Sequence, residues 1–282
     1  MKKIIILAES GSDVNKELAK QYDVTIVPMH VQFGDETLDD GLFPVEKIVN
    51  YYSSTGKLPK TSGSTPNDFE VILDELHEKY PEAHILYLAY SAVTTCSFQS
   101  CVIASTNRDY VTMLDTKQVS LGQGAIVMQV AKKLQDNPDI TLDELVNYAK
   151  ELVDTAHMCF LPNDLEFLRA GGRVSNAAYM GAKILNLHPV IEIIDGKLTA
   201  TKKYRGKLSR VASKMLKEYT ELYGFKKSCL WMIHTLDLQD EVKDALNVTA
   251  KELGYESIVW VQANGVITTH AGPSAVGFVG FN

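Results

Sequence analysis

Short apolar runs alternate with helical patterns along the first half of the chain. Residues 4–8, 24–27, 85–89 and 111–114 are near-continuous apolar runs of strand length, the pattern of strands buried on both faces. Residues 67–80, 97–107, 122–135 and 142–155 instead repeat apolar positions at helical spacing. Such alternation predicts a parallel sheet with helices on both faces. After about residue 158 the texture changes. Residues 158–161, 189–194 and 197–203 read as strands, with Asp195-Gly196 as a hairpin turn between the last two. Residues 207–222 and 238–253 read as helices, and 228–233, 257–262 and 275–280 as further strands. No internal repeat, low-complexity segment or long linker interrupts the pattern. The reading is an α/β chain of two α/β domains facing each other across a cleft. Residues 1–157 form a three-layer domain on a parallel sheet, and residues 158–282 a second, mixed-sheet domain.

Composition narrows the classes of function. The chain has 282 residues, 45% hydrophobic and 22% charged, enough to bury a large core and still enclose a pocket. The charge is 28 − 35 = −7, with no dense block of Lys and Arg, which argues against a nucleic-acid binder. The opening apolar run is short and meets Glu9 and Asp13, so it reads as a first strand and not a signal peptide. No apolar stretch approaches the ~18 residues of a membrane span, and a cytoplasmic location is expected. Cys96, Cys101, Cys159 and Cys229 form no CxxC pair and have no histidine cluster beside them. Reduced, mostly buried thiols are expected, with no metal site and no cofactor.

Polar residues collect at the carboxyl ends of the predicted strands. The first strand runs into Glu9-Ser10-Gly11-Ser12-Asp13, the third into Tyr90-Ser91-Ala92, and the fourth into Asp115-Thr116. Ligands of open parallel sheets sit beyond these strand ends, so the segments are expected to line one crevice. Helix capping explains any one of them equally well; three together favour a site. Thr61-Ser62-Gly63-Ser64-Thr65-Pro66 is the densest hydroxyl cluster. One residue of it or Asn67 suffices as a helix cap, which leaves Thr61 and Ser62 for a ligand. Leu168-Arg169-Ala170-Gly171-Gly172-Arg173-Val174-Ser175 pairs two glycines with two arginines. It suits a carboxylate or phosphate, or simply a solvent-facing helix end. His270, within Thr268-Thr269-His270-Ala271-Gly272-Pro273, is a plausible partner for an acid group, although a lone histidine is more often structural. No GxSxG elbow, Walker A loop or HExxH motif is present, and Gly122-Gln123-Gly124-Ala125 lacks the third glycine of a dinucleotide loop.

Together these segments resemble the DegV family over nearly the whole chain. The resemblance rests on Glu9–Asp13, Lys60–Ser64, Ser91 to Ser100 and Asp115-Thr116 with Ser120, Gly122 and Gly124. It continues through Leu165 to Ser175, Lys203-Tyr204-Arg205-Gly206, and Thr269 to Pro273 with Val276-Gly277. It implies a two-domain α/β fold that holds a long-chain fatty acid between the domains. It also implies a separate fatty acid kinase to which the acid is presented for acyl-phosphate formation, so the chain itself is expected to be no enzyme. By the same resemblance, Thr61, Ser62, Ser91 and His270, with the Ala92 amide, are expected at the carboxyl group, its proton shared with His270. Ser10, Asp115, Thr116, Thr269 and Gly272 are expected to line the pocket. Arg173 and Arg205 are expected to serve the partner or the acyl-phosphate. The chain departs from the family pattern at Glu9, Ala92, Thr95 and Cys96, and at Gly63 and Thr65. The competing expectation is a small-molecule hydrolase or transferase using His270 with Asp115 or Ser91.

Overall fold

The structure is a computed structural model that describes residues 3–174 and 187–282. The chain opens with β1 (Ile4–Glu9), a 3-10 turn over Ser10–Ser12, α1 (Lys16–Tyr22) and β2 (Val24–Val27). Then come β3 (His30–Phe33), β4 (Glu36–Asp39), α2 (Glu46–Thr55), β5 (Lys60–Ser62), α3 (Pro66–Lys79) and β6 (His84–Ala89). The first half ends with α4 (Ser97–Ala104), β7 (Val111–Asp115), α5 (Ser120–Asp136) and α6 (Leu142–Thr155). The second contains β8 (Ala156–Leu161), α7 (Glu166–Ala170), β9 (His188–Ile194), β10 (Lys197–Tyr204) and α8 (Leu208–Tyr223). It closes with β11 (Leu230–His234), α9 (Asp240–Glu252), β12 (Ile258–Gln262), α10 (Gly265–Ala271) and β13 (Val276–Phe281).

The first sheet is four-stranded and parallel, in the order β2-β1-β6-β7. Alternate residues of a strand face opposite sides, and β1 divides accordingly. Ile5 and Leu7 pack with Phe69 and Leu73 of α3 and Cys101 of α4. Ile6 and Ala8 pack with Ile126 and Met128 of α5. Because both faces are covered, the strand is apolar throughout, as its sequence reads. Helix starts follow local chemistry: Thr65 caps α3 with Pro66 behind it, and Thr141 caps α6. Each cap exchanges backbone and side-chain hydrogen bonds with the acid three residues on, Asp68 and Glu144.

The second sheet is six-stranded and mixed, in the order β10-β9-β8-β13-β11-β12. The β9–β10 hairpin turns at Asp195-Gly196, both with positive φ, 48° and 76°, the backbone that this dipeptide favours. One face of the sheet packs on α8 and α9 through Met215, Leu216, Leu246 and Phe278. The other face turns inward, and Met158, Trp231, Ile233 and Val279 join the same cluster as Ile6, Leu86 and α5. Helix α5 is therefore a layer common to both sheets. It is buried on nearly every side through Met128, as a helix between two apolar faces must be. Gly124 lets the Ser10–Ser12 turn sit against it; a Cβ there would lie 2.2 Å from the Ser12 carbonyl oxygen.

The sequence reading leaves a gap between β2 and α3, and the structure fills it. A three-stranded antiparallel sheet, β4-β3-β5, occupies it together with α2. Its signals are present but short. Gly34-Asp35 separates Val31 and Phe33 from Leu38, and Gly56 ends α2 at φ 67°. α1 and α10 also lie where no helix is predicted, and α7 where a helix end is only one of two readings; at seven, seven and five residues they are too short to establish a period. Among the described residues no helix is long and apolar enough to cross a membrane.

Candidate functional site

A cavity of about 300 Å³ lies where the small sheet, the inner face of the second sheet, α5 and α10 meet. Its walls are mostly apolar: Met29, Met158, Phe160, Leu198, Ile233 and Val266 contribute side chains from five separate strands and helices or their flanks. Polar groups gather at the rim. Thr61, Ser62 and Gly63 come from the end of β5, Thr94, Thr95 and Cys96 from the loop before α4, Arg173 from beyond α7, and His270 from α10. Gly63 brings the first two segments together, since a Cβ on it would lie 2.3 Å from Thr95 Oγ1.

His270 is the centre of this rim. Its Nε2 lies 2.8 Å from Thr61 Oγ1, a bond that joins residues 209 positions apart. Its Nδ1 is buried and has no hydrogen-bond partner among the described residues. The ring has room only because residue 171 is glycine; a Cβ there would lie 2.2 Å from Nδ1. Burial, and secondarily the positive charge of Arg173, depresses the imidazole pKa to about 3. His270 is thus neutral near pH 7, with one ring nitrogen able to donate and the other to accept. Arg173 donates to the Gly171 carbonyl at 2.6 Å and, at a long 3.5 Å, to the Thr94 carbonyl of the opposite half. It thereby spans the rim while keeping its charge at the opening.

The structure brings Thr61, Ser62, Arg173 and His270 to one cavity. The other expected residues do not line it. The Ser91 hydroxyl is buried and donates to the Gly196 carbonyl at 2.8 Å, on the turn of the β9–β10 hairpin. The Ala92 amide points to Asp115 at 3.4 Å, and Asp115 also accepts from the Lys117 amide at 2.9 Å. The Thr116 hydroxyl donates to the Ala89 carbonyl at 2.7 Å, and the Thr269 hydroxyl to the Gly265 carbonyl at 2.8 Å. Ser10 Oγ accepts from the Met29 amide at 2.9 Å. Gly272 ends α10 with φ 70°, against the Phe167 ring. Arg205 is exposed and lies outside the cavity wall. Ser175 of the arginine-glycine segment falls outside the described residues. The strand ends do converge, and Tyr90 among them lines the cavity, whereas Ser10, Ser91, Asp115 and Thr116 are bonded within the protein and do not. His270 is bonded to Thr61, whereas Ser91 and Asp115 have the partners just given, so the geometry lends no support to a hydrolase built on those residues. Met29, Tyr90, Cys96 and Ser120 line the cavity without having been expected there. Tyr90, Cys96 and Ser120 lie in or beside the motifs that carry the family resemblance; Met29 lies in none.

A mostly apolar cavity with a few polar groups at its rim has the form of a small-molecule site. A sequence model described as “Uncharacterised protein, DegV family” matches residues 3–281, and the chain belongs to the DegV family. A Thermotoga maritima protein named “Fatty acid-binding protein” is 27% identical over 287 residues, covering 98% of this chain and 96% of that one. A solved Thermus thermophilus structure, described as fatty acid binding of a DegV family protein, superposes with a TM-score of 0.88 at 24% identity, over 99% of both chains. A Thermotoga maritima structure described as revealing a fatty acid binding function superposes at 0.82 with 26% identity, over 100% of both. Among the described residues no cluster of His, Cys, Asp and Glu could hold a metal ion, and all four cysteines are free.

Proposed function

We propose that this chain binds one long-chain fatty acid in the cavity, in the cytoplasm, and presents it to a fatty acid kinase without catalysing a reaction itself. The observation that carries the reading is a mostly apolar cavity with a polar rim around Thr61, Ser62 and His270, and a few further polar side chains at Tyr90, Ser120, His234 and Thr235. The relatives named above, each described as fatty acid binding, support the binding part of it. An acyl chain of roughly sixteen carbons gains ~12 kcal/mol from burial at ~0.8 kcal/mol per CH₂, much of it offset by association and ordering costs. The carboxyl group must then be satisfied at the rim. Thr61, Ser62 and His270 are placed to do so. In this reading Ser91 and the Ala92 amide join only if Ser91 releases Gly196. Ser10, Asp115, Thr116, Thr269 and Gly272 then hold the rim segments in place. Arg173 and Arg205 face the partner. We also propose that the two halves meet at residues 157 and 158, within β8 and just after it has joined the second sheet at Ala156.

Native mass spectrometry of the purified protein, followed by denaturation and identification of released lipid, tests the binding. The expected result is one bound fatty acid per chain. Delipidated protein should be stabilised by ~2.7 kcal/mol at 100 times the dissociation constant of the acid. Absence of any thermal shift with acids of fourteen to eighteen carbons would sink the reading.

A further inference from the structure

We infer that Asp13 and Asp40 are positioning residues for His270, acting through the backbone of α10 and not through the bound molecule. The segment Glu9-Ser10-Gly11-Ser12-Asp13 does not line the cavity, yet it buries two carboxylates completely. Asp13 accepts the Asn264 amide at 2.7 Å with one oxygen and the Ser120 hydroxyl at 2.5 Å with the other. Asp40 accepts the Val266 amide at 3.0 Å. The Asn264 side chain closes the cluster by donating to the Ser10 carbonyl at 3.1 Å. The leading amides of a helix have no acceptor within it. Here two buried acids from the first half of the chain supply the acceptors, and so fix where α10 begins.

The other end of α10 carries His270, roughly 6 Å along the axis from Val266 at 1.5 Å per residue. Asp40 directly follows β4, and Thr61 lies on β5, the two outer strands of the small sheet. The helix is therefore pinned to that sheet at both ends: Asp40 to Val266 at the start, Thr61 to His270 at the finish. Gly265 makes the first contact possible. A Cβ there would lie 2.5 Å from Phe43 Cζ and 2.9 Å from Asp40 Oδ1. A slide of α10 along its axis would lengthen the 2.8 Å bond between Thr61 and His270, and hydrogen bonds weaken steeply with such displacement. Glu9 provides the contrast. It is equally buried, but its partners, Tyr87, the Tyr90 amide and Gln123, all lie in the first half. It ties the first sheet to α5 and leaves α10 alone.

The test has two readouts, of which only the second rests on the fatty-acid reading. The first is the ¹H–¹⁵N signal of the His270 imidazole in ligand-free protein; the second is the affinity for hexadecanoic acid. Asp13→Ala and Asp40→Ala are expected to move the His270 signal and weaken binding at least tenfold. Asp13→Asn and Asp40→Asn keep a carbonyl acceptor and should recover most of both. Gly265→Ala displaces the start of α10 without removing an acid, and should reproduce the loss even if an alanine variant fails to fold. Glu9→Gln should lower the melting temperature and leave both readouts at wild-type values. The inference is overturned if Asp40→Ala and Gly265→Ala leave the His270 signal unchanged, or if Glu9→Gln perturbs it as much as they do. Should wild-type protein bind no hexadecanoic acid, the imidazole signal still decides the positioning role, and only the fatty-acid reading fails.

Discussion

At the scale of single residues, the site depends on a neutral imidazole and a hydroxyl. Thr61→Val keeps the shape of the side chain and deletes its donor. A buried carboxyl group that lacks one donor costs ~1–3 kcal/mol, so affinity for the acid should fall roughly 5- to 150-fold, measured by calorimetric titration. A bound carboxylate beside His270 favours the imidazolium, so NMR titration should show its pKa rising from about 3 on loading. The buried titratable groups also predict how stability varies with pH. His270, depressed by burial from 6.5 to about 3, contributes stability that is full above pH 6.5 and is lost as pH falls towards 3. Asp13, raised by burial from 3.8 to about 8, and Asp40, raised to about 6, have the opposite sign. Their contribution is full below about pH 4 and is lost as pH rises through the folded-state value. The His270 and acid slopes oppose each other between pH 4 and 6.5, while Asp13 still titrates from 6.5 to 8. The melting temperature should therefore decline over that window, and Asp13→Asn should remove the part of the decline that Asp13 causes. An equal slope in wild type and variant would contradict the burial argument.

At the scale of elements, the β9–β10 hairpin decides what Ser91 does. Its turn lies against the end of the first sheet, and Gly196 both accepts the Ser91 hydroxyl and occupies a backbone with φ 76°. A Cβ at residue 196 would lie 2.5 Å from Ser91 Oγ and 3.0 Å from Val93 Cγ2. Gly196→Ala should cost about 1–2 kcal/mol from the left-handed backbone alone, and more from the clash. Ser91→Ala should cost ~1 kcal/mol through the lost hydrogen bond. Because the new methyl group meets the Ser91 hydroxyl, the double variant should be less destabilised than the sum of the singles, by at least about 0.5 kcal/mol. Urea unfolding of the four proteins measures this cycle, and strict additivity would show that the hairpin does not rest on Ser91.

For the whole molecule, the shared layer formed by α5 predicts cooperative unfolding. The apolar cluster that contains it draws on both sheets, from Ile6 and Leu86 to Trp231 and Val279. Neither half keeps this core without the other. Fluorescence of Trp231 and Trp260, both in the second sheet, should report the same urea midpoint as far-UV circular dichroism, which reports all elements. Separate midpoints would mean that the halves fold independently. The arginines test the proposed partner at this scale. Arg173 spans the rim and Arg205 is exposed, and arginine suits phosphate recognition. Arg173→Ala and Arg205→Ala should retain the acid but lose transfer in a reconstituted reaction with a fatty acid kinase. Loss of binding with normal transfer of whatever lipid remains would reverse the assignment.

The sequence by itself determined the regular elements of both large sheets, the Asp195-Gly196 turn and the hydroxyl segment that becomes the rim. Those follow from periodicity and backbone preference, which act over a few residues. It also placed Thr61, Ser62, Arg173 and His270 as candidates through their motifs. Only the tertiary structure decided which hydroxyls stay available. Ser91 is bonded to a carbonyl 105 positions away, Asp13 to an amide 251 away, and Thr61 to His270 across 209. The small β4-β3-β5 sheet and the two-sided burial of α5 belong to the same category. A short strand or a buried helix face acquires its meaning from what packs against it, and a hydroxyl can serve a ligand only where the fold places it at the cavity and not against a distant segment, as it does Ser91.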